Sequence, residues 1–173
     1  MFFASPCRDA FVDEDTCCNN FADVREFARL MVSSLGDFQA EKSFSVVGFS
    51  TEARVLSELS SAEETVAVVE RFDYSGGMTN HADAIRTCQR TLAKSSSPPP
   101  SSSVDDRKKF IMLVTDGMSS EPNIDPEGEA ERAAATAKSE GTFVIPIFIS
   151  PNGNDWSALE FMRRLSSDGR ARR

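Results

Sequence analysis

Histidine, tryptophan and tyrosine each occur once in the 173 residues, as His81, Trp156 and Tyr74. A lone imidazole cannot build a His-rich metal centre, and it leaves any serine or cysteine nucleophile a single possible base. Cys88 follows His81 by seven residues on one predicted helix, a rise of about 10.5 Å, too far for a hydrogen bond. Cysteine is also scarce: Cys17 and Cys18 are adjacent, Cys7 lies ten positions before Cys17, and Cys88 stands alone. That spacing fits neither a disulfide framework nor a zinc site, although a bridge from Cys7 to Cys17 or Cys18 stays open in a secreted protein. No apolar run approaches ~18 residues, so no membrane-spanning helix is expected. Met1 to Ala4 is too short for a leader's apolar region and lacks a basic flank. Neither Gly-x-Gly-x-x-Gly nor a phosphate loop occurs, and Gly48-Phe49-Ser50 lacks the second glycine of a nucleophile elbow. Cations are in deficit, with 19 Lys and Arg against 27 Asp and Glu and a net charge of -8. A nucleic-acid partner needs the opposite balance. Only Arg163, Arg164, Arg170, Arg172 and Arg173 crowd together, read either as a solvated helix end with its tail or as a contact for an anionic surface.

What is present is an ordinary globular composition, 40% hydrophobic and 27% charged, with 13 phenylalanines for an interior. The length suits one domain. Lys109 to Thr115 and Thr142 to Ile149 are near-continuous apolar runs, the mark of strands covered on both faces in a parallel sheet. Pro146 in the second run removes a ladder donor and favours an edge or a bulge. Phe44 to Phe49 reads as a strand, and Arg54-Val55-Leu56 follows closely enough to return antiparallel beside it. Helical spacing links Phe21, Val24, Phe27, Ala28, Met31 and Leu35, with a stop at Gly36. Ser61-Ala62-Glu63-Glu64 is a capping box, and Ala82, Ile85, Cys88 and Leu92 mark a further helix. Asp125-Pro126 opens another, closed by Gly141, with a small inner stripe of Ala130, Ala133, Ala134 and Ala137. Trp156, Leu159, Met162 and Leu165 line a last one. The Ser/Pro stretch beginning at Ser95 reads as a disordered insertion at about 95–106, or as a polyproline II ligand segment. Strands alternating with helices predict an α/β fold, a doubly wound, mostly parallel sheet flanked by helices.

In such sheets ligands bind beyond the carboxyl ends of the strands. Two loops there are informative. Thr115-Asp116-Gly117 ends an apolar strand and offers a carboxylate at the sheet edge. Tyr74-Ser75-Gly76-Gly77-Met78-Thr79-Asn80 opens a helix after two glycines that permit close backbone approach. A hydroxyl and a carboxylate brought together suit Mg²⁺. The bland alternative is that Asp116 belongs to a turn and Thr79 caps its helix.

Taken together, these pieces resemble the von Willebrand factor type A domain. The matching segments run in order: Asn20 to Phe27 with Leu30 to Val32, Val46 to Thr51, Tyr74 to Asn80 with Ala84-Ile85, and Leu113 to Gly117. The resemblance implies a Rossmann-like sheet and a metal-ion-dependent adhesion site built from three loops. Its first loop has the pattern Asp-x-Ser-x-Ser, its second supplies a Thr, and its third an Asp. Thr79 matches the second position and Asp116 the third, so by resemblance Thr79 would hold Mg²⁺ or Mn²⁺ directly and Asp116 through water. The open coordination position would take an acidic group of a protein partner. Counting back from Phe21 puts Phe11 to Asp15 at the first loop, with Asp13 and Asp15 in the serine positions. Two carboxylates in place of hydroxyls would neutralise the ion and weaken its attraction for an acidic partner; both could equally be surface carboxylates. Weakened or lost metal binding is the expectation.

The family's central first strand has no convincing candidate, and the chain stops about where the last strand should begin. A domain truncated at both ends is therefore expected, with marginal stability from unpaired central backbone groups, each costing ~1–3 kcal/mol if buried. The resemblance implies an adhesion-type, protein-binding module, extracellular or cell-surface, that catalyses nothing. The alternative is a metal-independent intracellular scaffold or remnant domain.

Overall fold

The computed structural model describes residues 2–4, 14–38, 42–73, 76–94, 107–115, 117–120, 123–149 and 156–168. In chain order these form β1 (Phe2–Ala4), α1 (Glu14–Gly36), β2 (Phe44–Phe49), β3 (Ala53–Ser60), α2 (Ala62–Arg71), α3 (His81–Lys94), β4 (Lys109–Thr115), α4 (Pro126–Ser139), β5 (Thr142–Phe148) and α5 (Trp156–Leu165). The expected insertion at 95–106 lies outside the described residues.

One sheet runs in the order β3-β2-β1-β4-β5. All neighbours are parallel except β2 and β3, so the fold is the doubly wound α/β arrangement expected. β4 and β5 pair in step from Lys109 opposite Thr142 to Thr115 opposite Phe148. Beyond the exposed Phe110 and Phe143, both carry side chains into helix layers on either side, which is why both sequences read as near-continuous apolar runs. Residues of one parity, Val47, Phe49, Ile111, Leu113, Val144 and Phe148, meet α3, α4 and α5. The other parity, Val46, Val114 and Ile147, meets Val24 and Ala28 of α1 and Val69 of α2.

The centre of the sheet corrects an expectation. The family's central strand, for which the sequence offers no convincing candidate, is Phe2–Ala4, which pairs with Val47 to Phe49 of β2 and with Leu113 and Val114 of β4. The central slot is thus filled, by a strand of three residues. The predicted penalty for unpaired central backbone does not arise where those residues pair.

Pro146 sits in an edge strand, as its missing N–H requires. Val144 shows which way it faces: its N–H donates to Ser167 Oγ at 2.8 Å, and its carbonyl accepts from Ser167 N at 3.0 Å. Residues two apart in a strand point their backbone groups the same way, so Pro146 turns toward the outer edge and costs the β4 ladder nothing.

Helix ends follow the sequence closely. Ser61 and Glu64 form the reciprocal capping box, Asp125 caps α4 ahead of Pro126, and Gly141 leaves it at φ 78°. The Ala130, Ala133, Ala134 and Ala137 stripe is buried. α5 turns differently from its expected face. Ala158, Phe161, Met162 and Leu165 are buried, while Trp156 remains 70% exposed. Trp156 is the first helical residue and projects ahead of the turn that reaches the sheet.

Candidate functional site

Beyond the carboxyl ends of β2, β4 and β5, the loop leading into α3 is held from two sides. Gly76 and Gly77 take φ of 62° and 103°, conformations closed to most side chains. A Cβ at Gly77 would lie 2.8 Å from Thr51 Oγ1, so glycine is what lets the turn after β2 approach. Thr51 Oγ1 accepts from Met78 N at 3.1 Å, and the Thr51 carbonyl accepts from Asn80 Nδ2 at 3.2 Å. Asn80 N donates to the Ser50 carbonyl at 2.9 Å.

The cap of α3 belongs to Asn80 rather than Thr79. Asn80 Oδ1 accepts from Asp83 N at 2.9 Å, and its carbonyl accepts from Ala84 N. Asp83 Oδ2 in turn accepts from Ala53 N at 2.7 Å, fixing the helix start to β3. The capping alternative for Thr79 is therefore removed.

On the other side, the loop is tied to the residues after β4. Thr79 N donates to Ser120 Oγ at 2.8 Å, and Ser120 N donates to the Thr79 carbonyl at 2.9 Å. His81 adds a second tie: Nδ1 is hydrogen-bonded to Ser119 Oγ at 2.8 Å and Nε2 to Thr115 Oγ1 at 3.0 Å. Its ring is fully buried, 5.5 Å from the ring of Phe49 and 5.6 Å from that of Phe161. Desolvation pushes its pKa down to about 3, so the ring is neutral and donates through one nitrogen while accepting through the other. Sequence reasoning weighed His81 only as a metal ligand or a base. Its spacing with Ile85 and Cys88, both buried on α3, was the available sign of an inward-facing residue.

The Thr79 loop and the segment carrying Asp116 are thus adjacent. Asp116 itself lies outside the described residues; Thr115 and Gly117 on either side of it are described. Thr79 is only 7% exposed, yet its hydroxyl makes no hydrogen bond to any described residue, the backbone N–H and carbonyl being its bonded groups. A buried neutral oxygen left over in this way fits a hard cation that takes oxygen ligands. Among the described residues no three His, Cys, Asp or Glu gather to hold a metal, so carboxylate ligands would have to come from elsewhere. Asp13 lies outside the described residues, and Asp15 falls in the first turn of α1. β1 ends at Ala4, so six residues, Ser5 to Ala10, separate it from Phe11. The five residues directly after the strand read Ser-Pro-Cys-Arg-Asp, which is not Asp-x-Ser-x-Ser either.

Away from this rim, a depression along α4 and α5 is lined by Glu127, Glu131, Arg132 and Arg164. Most of its charges are spent on each other, with Arg164 at 2.6 Å from both Glu127 and Glu131.

The family model for the von Willebrand factor type A domain matches residues 18–173. It begins within α1, after β1 and the segment that would carry the first loop. Among solved structures, proximal thread matrix protein 1 from the mussel byssus is 18% identical, with a TM-score of 0.68 over 96% of this chain and 39% of that one. The same protein with a zinc-occupied MIDAS motif is 18% identical, with a TM-score of 0.67 over 96% of this chain and 40% of that one. The manganese-loaded TRAP protein of Plasmodium vivax is 15% identical, with a TM-score of 0.68 over 95% of this chain and 59% of that one. This chain spans about two fifths of the mussel protein's length, and at these identities the likeness is one of fold. No curated protein sequence matches it. With a family match over all but its first 17 residues, carried on this sheet order and these rim loops, the chain belongs to the von Willebrand factor type A domain family.

Proposed function

We propose that this chain is a protein-binding module of adhesion type whose rim takes an acidic group of a protein partner through Mg²⁺ or Mn²⁺. The Thr79 hydroxyl and the Asp116 carboxylate are the proposed ligands, with Asp13 and Asp15 the candidates from the segment before α1. One observation carries the reading: a buried threonine has its backbone bonded on both sides of the rim and its hydroxyl left over. A bound divalent cation would supply an open position for the partner's carboxylate. Thr79 would give it a neutral ligand, preserving positive charge for that partner. Two relatives of the same fold are described with metal, zinc in the mussel protein and manganese in the parasite protein, and this supports a divalent ion here. An extracellular or cell-surface setting goes with that function.

A metal-independent scaffold is the second reading, favoured by the absence of Asp-x-Ser-x-Ser both after β1 and at Phe11 to Asp15. Catalysis is not proposed. The His81–Ser119 distance would suit a base and a nucleophile. However, His81 is 0% exposed, Ser119 is 6% exposed, and a ring held near pKa 3 is a poor base at neutral pH. Calorimetric titration of Mn²⁺ into wild type and Asp116→Ala tests the first reading. It expects a weak signal that the substitution abolishes. Partner capture unchanged by EDTA would favour the scaffold.

A further inference from the structure

We propose that His81 is a positioning residue that fixes the Thr79 loop against the residues flanking Asp116 and thereby sets the cation affinity of the rim. The cation part rests on the function proposed above; the positioning part does not. Thr115 and Ser119 stand on either side of Asp116, and His81 reaches both, one through each nitrogen. The ring therefore bridges residues on either side of position 116. Two residues earlier on the same backbone, Thr79 exchanges two hydrogen bonds with Ser120. The Thr79 loop thus reaches Ser120 directly, and among the described residues His81 alone adds ties to both flanks of residue 116, Thr115 and Ser119.

Besides the ring, Thr115 Oγ1 has among the described residues only the longer 3.4 Å contacts to the Gly117 backbone. Thr115 is 0% exposed and Ser119 is 6% exposed, so their hydroxyls would be left short of partners if the ring were removed. Packing against Phe49 of β2 and Phe161 of α5, both in the core on the α3 face, holds the ring. Groups that orient a site's ligands typically change metal affinity 10- to 100-fold when removed, as outer-shell partners do.

The test compares wild type, His81→Ala, His81→Asn and His81→Gln. Asn places an amide near the Nδ1 position facing Ser119, and Gln places one near the Nε2 position facing Thr115. Amide hydrogen exchange is measured first, without metal, at Thr79 and Ser120 and at Ala133 and Ala134 in buried α4. His81→Ala is expected to speed exchange at Thr79 and Ser120 about tenfold or more beyond any change in α4, with Asn and Gln intermediate. Exchange that rises equally at all four amides, or at none, overturns the positioning role. Mn²⁺ is then titrated by calorimetry, with an expected loss of about tenfold or more in affinity for His81→Ala. Local exchange without loss of affinity overturns the link to the cation. A wild type that takes no Mn²⁺ overturns that link and the cation reading together, while the exchange result still decides the positioning.

Discussion

Acid should weaken this protein through His81 before it reaches the carboxylates. The ring is buried and neutral, and its pKa falls from 6.5 to about 3 on folding because protonation would place a charge in the core. A depressed folded-state value means that the unfolded chain binds the proton more readily. The contribution is therefore fully present above the ordinary value and is lost as pH falls from 6.5 toward 3. At pH 5, one and a half pH units below the ordinary value, the loss is about 2 kcal/mol, at 1.36 kcal/mol per unit. That is a large share of a typical ~5–15 kcal/mol stability. The surface carboxylates of Glu26 and Glu129 are held low by hydrogen bonds to Arg29 and to Arg86 and Arg132. Their contributions are present above the usual carboxylate range and fade only below it, so pH 5 leaves them in place. Urea unfolding in EDTA at pH 7.5 and pH 5 on wild type and His81→Gln gives the double difference. Wild type should lose about 2 kcal/mol more than the variant between the two. Equal losses would refute the reasoning, because the ring would then titrate alike folded and unfolded.

Three further changes have sizes set by the structure. Gly77→Ala forces a side chain onto φ 103° with its Cβ 2.8 Å from Thr51 Oγ1, and should cost about 1–3 kcal/mol in chemical denaturation. Phe161→Ala empties a site that is 0% exposed beneath the His81 ring, with an expected loss of about 3–5 kcal/mol by the same measurement. Ser61→Ala breaks the capping box of α2 and should lower stability by about 1 kcal/mol, read as a fall in the thermal midpoint.

Those parts of the fold that declare themselves locally were legible. β4 and β5 are apolar through their centres because helices cover both faces there, and the Ser61 and Asp125 caps carry their hydrogen-bond partners within three residues. β1 was not legible, since three residues cannot show a period and its strand character comes from β2 and β4 on either side. The face of α5 was misjudged because Trp156 is large and apolar, whereas its position at the first residue of the helix leaves it in solvent. At the rim, the Gly76-Gly77 pair and the strand-ending Thr115 pointed to the right loops. The tie between them was hidden, because His81 meets Thr115 and Ser119 across 34 and 38 residues of sequence. A contact of that range leaves no local pattern to read.

The outward-turned Pro146 has a further consequence for the company this molecule keeps. A sheet margin with every donor in place invites a stray extended chain to zip along it, the first step toward fibrous self-assembly. Here Ser167 already occupies Val144, and two residues on an intruder would meet a pyrrolidine ring with no hydrogen to offer. Among the described residues, Pro146 thus removes one donor beside the Ser167–Val144 pair and weakens strand addition along that margin.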